Sequence, residues 1–169
     1  GGSFILIEGN IVHHSNIGIE LASEHKGRNT SNVIARNNLV YLNTGPGFSL
    51  GGYSKKTGGT DHCTIVNNTF FGNDTMMTGS GEFQLQYFPS KVSNNIFENN
   101  ILYTNKQGLL RSNDFASPVV ELDYNLYYTP SGKSPEWNWN KKSYSSFSKY
   151  QKGSTNDDHS FFADPQFVS

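Results

Sequence analysis

One cysteine, Cys63, stands in the 169 residues, so no disulfide closes within the chain and the redox compartment stays open. Charge is scarce too. Charged residues make up 16% and the formal net charge is −1, which leaves no broad field to draw nucleic acid or an acidic polymer. No apolar run is long enough to cross a bilayer, so neither a nucleic-acid partner nor membrane insertion is expected. Apolar residues total only 34%, yet aromatics reach 14%, and a disordered chain would be poor in them. No 3.6-residue periodicity runs through the sequence, which argues against helices as the main element. What the chain does have is turn formers, 20 Asn beside 17 Gly. Residues 1–169 are of a length suited to a single domain.

The stretch ILIEGNIVHHSNIGIEL, residues 5–21, breaks at Asn10 and again at a glycine, and its pattern recurs. Asn10, Asn38, Asn68, Asn100 and Asn125 sit in similar frames at spacings of 28, 30, 32 and 25 residues. Three positions before each lies Ile7, Ala35, Ile65, Phe97 or Leu122, and two positions after lies Val12, Val40, Phe70, Leu102 or Tyr127. A second strand opens eight or nine residues after the asparagine at Gly18, Gly47 and Gly108. An insertion around 74–79 delays it to Glu82 in one repeat. Strand-length runs at this period predict a solenoid whose repeats bury a core only by stacking. Equivalent residues then lie about 4.8 Å apart, and the five asparagines form a ladder of side-chain amides.

These repeats resemble right-handed parallel β-helix proteins, the architecture of pectate lyases, other polysaccharide-processing enzymes and phage tailspikes. The blocks GIELASEHKG, GFSLGGY and DDHSFFADPQFV are similar to a bacterial group of secreted β-helix proteins. The resemblance implies an all-β right-handed parallel β-helix of about four to five coils, a carbohydrate-associated role, and an extracellular or cell-surface location. Residues 3–129 are read as the coils, 130–160 as an irregular loop and 161–169 as a terminal strand segment. The loop either packs across the solenoid or its end, or is a surface loop held by its own aromatics. Ile5 to Ile7 already read as mid-coil, with no polar cap before them. A C-terminal portion of a longer solenoid is therefore expected, with further coils or another copy stacked on the first.

On the second strand Ile19, Phe48, Phe83 and Leu109 share the inward phase, and Glu20, Ser49 and Gln84 the outward one. With Tyr53, Glu82 and Gln86 these outward residues are candidates for binding a polysaccharide or other glycan. The following loops carry Glu24, His25, Lys26 and Arg28, then Lys55 and Lys56, then Asp61 and His62. Candidate catalytic groups are Glu20, Glu24, His25, Lys55, Lys56 and His62, of which Glu20 with Glu24 is a possible acid/base pair for glycoside hydrolysis. His13 shares a column with Tyr41, Phe71, Tyr103 and Tyr128 and is assigned to stacking. Adjacent residues of a strand face opposite ways, so His13 and His14 are not expected to chelate one metal together. GFSLGG matches a pectate-lyase frame, GFKLGG, whose lysine is the catalytic base, and puts Ser49 in that place. A lone serine hydroxyl is no such base, so if the chain is a lyase or glycoside hydrolase, it does not work by that mechanism. No His/Cys/carboxylate spacing suggests zinc, and Asp157-Asp158 lacks further oxygen ligands nearby. No metal and no cofactor are assigned, and calcium finds no support. A non-catalytic structural or spacer β-helix is the alternative function.

Overall fold

Each apolar run ends at a residue whose backbone leaves the extended region, and this bends the chain into coils. Gly9, Asn37, Asn67, Asn99 and Tyr124 have φ between 54° and 67°, and each immediately precedes a repeated asparagine. Glycine and asparagine take this left-handed region readily; tyrosine does not. At Tyr124 the cost is offset by a parallel ring stack on His159 at 4.9 Å.

The structure, a computed structural model, describes residues 1–88, 93–105, 107–112 and 119–168. The first coil holds β1 (Ser3–Glu8), β2 (Ile11–His13) and β3 (Ile19–Ala22). The second holds β4 (Thr30–Arg36), β5 (Leu39–Tyr41) and β6 (Phe48–Gly51). The third adds a short strand at its start: β7 (Thr60–Asp61), β8 (Thr64–Val66), β9 (Thr69–Phe71) and β10 (Phe83–Leu85). Then come β11 (Asn95–Glu98), β12 (Ile101–Tyr103) and β13 (Leu110–Ser112), followed by β14 (Val120–Asp123), β15 (Leu126–Tyr128) and β16 (Trp137–Trp139). β17 (Lys142–Tyr144), α1 (Phe147–Ser154) and β18 (Phe161–Phe162) complete the chain.

Three parallel sheets result: β1-β4-β8-β11-β14, with β7 also on β4; β2-β5-β9-β12-β15-β18; and β3-β6-β10-β13-β16, with β17 added antiparallel. The protein is an all-β, right-handed parallel β-helix of about four turns with one short helix. Its interior is apolar, with Phe48, Phe70, Phe83 and Phe97 fully buried and the rings of Phe83 and Phe97 stacked at 4.0 Å. The inward phase of the third sheet holds, with one shift. Phe83 pairs with Leu110, not Leu109, because this coil runs ten residues from Asn100 to its inward residue, as the second coil does from Asn38 to Phe48. Both leucines are buried.

Residues 130–160 are not an irregular loop throughout. Trp137 is in register with Leu110, so the third sheet continues beyond Tyr128. The helix α1 starts where the Ser146 side chain accepts from the Lys149 N–H, an ordinary serine cap. It lays Tyr150 against Trp137, ring centroids 5.6 Å apart, and Phe147 against Tyr127 and Trp137. The C-terminal end of the core is thereby covered.

The asparagine ladder runs the length of the solenoid in one direction. Nδ2 of Asn10 donates to Oδ1 of Asn38 at 2.9 Å, Asn38 to Asn68 at 2.9 Å, Asn68 to Asn100 at 3.0 Å and Asn100 to Asn125 at 3.3 Å. Each of these Oδ1 atoms also accepts the main-chain N–H of the preceding asparagine. The last amide, Asn125, donates to the buried carboxylate of Asp157 at 3.1 Å. Replacing Asn68 by leucine strands two N–H donors of Asn38 and leaves Asn100 Oδ1 with the main-chain N–H alone. Asn68→Leu should therefore lose about 1–3 kcal/mol in urea unfolding. A loss within about 0.5 kcal/mol, the size of an ordinary surface change, would mean the ladder carries no weight.

Candidate functional site

On the outer face of the third sheet Glu20, Ser49 and Gln84 are in register across β3, β6 and β10. Alternation puts Ser49 outward as expected, but it does not meet solvent: it is fully buried, and among the described residues its Oγ has no hydrogen-bond partner. The cover is the chain that leaves β10. Gln86 N–H donates to Leu50 O at 2.8 Å, and Tyr87 pairs antiparallel with Gly52 through two main-chain bonds. Gln86 Nε2 then reaches Glu20 Oε1 at 3.1 Å, spanning the strand that carries Ser49. Ser49 is thus neither a base nor an exposed glycan contact, whereas Glu20 is exposed and Gln84 and Gln86 are half-buried.

Glu82 does not project to solvent either. It is fully buried and ends a second amide ladder, five residues after the first at each rung. Ser15 N–H donates to Asn43 Oδ1 at 2.9 Å, and Asn43 Nδ2 to Asn73 Oδ1 at 2.7 Å. Asn73 gives its Nδ2 and its N–H to the Glu82 carboxyl, at 2.7 and 3.0 Å. Glycine makes this possible in the earlier coils. A Cβ at Gly18 would stand 3.0 Å from Asn43 Nδ2, and one at Gly47 2.6 Å from Asn73 Nδ2. In the third coil Glu82 occupies that glycine position, since its main-chain oxygen accepts from Phe48 as that of Gly47 does from Ile19. Its carboxyl takes the place of the next rung, and Asn105 is left exposed.

Beside it, buried Asp74 accepts from the N–H groups of Thr78, Gly79, Ser80 and Gly81 and from the Thr78 hydroxyl, which folds the inserted segment around one carboxylate. Burial, with Asp74 nearby, raises Glu82 to about 8 against the hydrogen bonds from Asn73. Asp157 is also raised by burial, and it accepts from Asn125, Ser160, Tyr127 and Tyr150.

The exposed candidates gather in the loops that follow the third sheet. Loops 23–29 and 52–59 lie directly on each other, with Gly59 N–H donating to Asn29 Oδ1 at 3.1 Å. A Cβ at Gly58 would collide with Arg28 O, so only glycine permits this approach. Together they line an open depression of about 550 Å³ with Lys26, Gly27, Asn29, Lys55, Lys56, Thr57 and Gly58. Tyr53, 74% exposed, stands at the start of the second loop. Glu24 and His25 are exposed on the first loop, while Glu20 is engaged by Gln86 rather than joined to Glu24 by a hydrogen bond. His62 lies beyond the second loop, paired with Asp61 at 3.0 Å. His13 stacks on Tyr41 at 4.9 Å, as its column implied. His14 lies against His13, Nδ1 to Nδ1 at 2.7 Å, because β2 ends at His13 and His14 turns to φ 55°. Among the described residues no three His, Cys, Asp or Glu side chains are grouped to hold a metal ion. The second ladder and its carboxylate were missed in the sequence, although Asn43 and Asn73 repeat the offset of five from Asn38 and Asn68.

No family model matches the chain, and no solved structure does. It is similar to the Bacillus subtilis (strain 168) protein described as "Uncharacterized protein YwoF", with 40% identity over 168 residues. That match takes in 99% of this chain and 35% of YwoF, so the chain spans about a third of that relative's length.

Glu82 also makes stability depend on pH. Its folded value lies above its ordinary one near 4.5, so its contribution is fully present below that value and is lost as pH rises toward 8. Compared with Glu82→Gln, the wild type should lose up to about 1.4 kcal/mol per pH unit across this window. Urea unfolding of both proteins from pH 4.5 to 8 checks it, and parallel curves would show that Glu82 does not titrate there.

Proposed function

We propose that the chain is a carbohydrate-associated β-helix that binds an acidic polysaccharide on the outside of the solenoid and does not cleave it. The observation that carries this reading is the depression in which two stacked loops bring Lys26, Lys55 and Lys56 together, with Tyr53 exposed at the start of the second loop. Each exposed lysine–carboxylate contact contributes only about 0.2–1 kcal/mol. A repeating anionic polymer engages several at once, and its binding weakens with salt because these charges are screened. Tyr53 offers an apolar ring and a hydroxyl, a surface suited to a sugar face. Glu20, Gln84 and Gln86 on the neighbouring sheet extend the polar surface. An extracellular or cell-surface location belongs to the same reading.

A non-catalytic spacer is the second reading, favoured by the burial of Ser49 and Glu82, which takes two polar groups out of any groove. Binding of the chain to polygalacturonate, alginate and a neutral galactan separates the two. Acidic polymers should bind, more weakly as salt rises, and Lys26→Ala/Lys55→Ala/Lys56→Ala should lower their affinity at least ten-fold while leaving the fold intact. Neither new reducing ends nor unsaturated uronate products should form, with or without calcium. Binding to none of the polymers would leave the spacer; product formed by the wild type and lost in the lysine variant would make the chain an enzyme.

A further inference from the structure

The corner that follows β2 brings two imidazoles to one point. Nδ1 of His13 and Nδ1 of His14 stand 2.7 Å apart with the ring planes at 87°, so the rings do not stack and these nitrogens are where they meet. Successive residues within a strand would point apart. Here β2 ends at His13, and His14 turns to φ 55°. The turn belongs to the corner rather than to histidine, since Leu42 and Gly72, at the same place in the next two coils, have φ of 51° and 61°. What differs is the pair of side chains. The later coils carry Tyr41-Leu42, Phe71-Gly72, Tyr103-Thr104 and Tyr128-Thr129 there.

The second coil holds this corner in place. Asn43 Oδ1 accepts the Ser15 N–H at 2.9 Å, Ser15 O accepts the Thr44 N–H at 2.8 Å, and Asn16 O accepts the Gly45 N–H at 2.7 Å. Tyr41 sets the two rings: His13 stacks on it at 4.9 Å, and His14 meets it edge-on at 6.4 Å. The convergence of the two nitrogens thus rests on residues that come after them in the chain.

Two imidazole nitrogens this close need a proton or a metal ion between their lone pairs. Distance decides which ion fits. Nitrogens held about 2.0–2.1 Å from one ion lie ~2.9 Å apart across a right angle and ~3.4 Å apart across a tetrahedral one. The observed 2.7 Å is nearer the right angle, which neighbouring ligands make in the tetragonal sites of Cu(II) and Ni(II). Of the divalent first-row ions, Cu(II) is bound most tightly by such ligands. We propose that His13 and His14 form a two-nitrogen chelate for Cu(II), with water on its remaining positions. The chelate adjoins the second sheet, whereas the lysine-lined depression follows the third, so it does not depend on glycan binding.

The test titrates the whole chain with Cu(II), and separately with Zn(II), by calorimetry and electron paramagnetic resonance. His13→Phe supplies the residue that the third coil has in this column, and His14→Asn keeps a side chain suited to the left-handed backbone, so both variants should retain the fold. His25, His62 and His159 are common to all three proteins, so the difference reports the pair alone. The wild type should bind one Cu(II) at least ten-fold more tightly than either variant and more tightly than Zn(II), with hyperfine coupling to two imidazole nitrogens. Equal Cu(II) affinity in either variant overturns the proposal and leaves the contact a hydrogen bond between two imidazoles. Zn(II) bound as tightly as Cu(II) overturns it as well, because the geometry would then select no ion. Should a variant not fold, the wild-type spectrum still decides: coupling to one nitrogen, or to none, overturns the chelate.

Discussion

A primary amide can accept at its oxygen and donate at its nitrogen, and a stack of them spaced one strand apart satisfies both only if every member points the same way. Once one rung is set, the others follow, and the chain must supply an acceptor where the stack stops. Both ladders obey this. The first ends on Asp157 and the second on Glu82. The buried carboxyls are part of the fold's polar closure, and their cost is that of removing an ionisable group from water. Reserving an acid for this purpose also explains why Glu82, which reads as a binding-site carboxyl in the sequence, is absent from the surface while Glu20 and Glu24 remain on it.

How much of this was legible followed from distance along the chain. The corner asparagines recur in one short frame with apolar partners three before and two after, so fold, coil count and ladder could be read from local pattern. The inward phase of the third strand was equally local, and it slipped by a single residue at Leu109/Leu110, where two buried leucines stand side by side. The fate of Ser49 and Glu82 was decided by contacts the pattern does not encode. Ser49 faces outward by alternation, but a segment 37 residues later folds back through Gln86 and Tyr87 to cover it. Glu82 reads as an outward residue at the mouth of a strand, yet it sits where two earlier coils have glycine, and the vacated space draws its carboxyl inward. Trp137, without period in the sequence, regains its register only because a longer turn delivers it to the sheet.

The candidate binding surface follows from the same division of labour. Hydrogen bonds and apolar rows fix the three sheets, so variation is confined to the connections between them. The 23–29 and 52–59 loops use that freedom to stack, and glycine at 58 allows their main chains to touch. Lys26 becomes a neighbour of Lys55 and Lys56 through coil stacking rather than through sequence proximity. An open charged depression made in this way suits a long, repeating ligand better than a small one, which would need enclosure.

Because each strand is bonded to the coils before and after it, the molecule is mechanically anisotropic. A pull along the solenoid axis loads the coil-to-coil contacts in series, so the whole yields at its weakest junction while the others stay intact. A pull across the axis loads many parallel bonds of one sheet together. Extension along the axis would therefore proceed as a succession of released coils, each about 30 residues of slack chain. The closure of α1 over the last rung makes the C-terminal coil the poorest place for that peeling to begin.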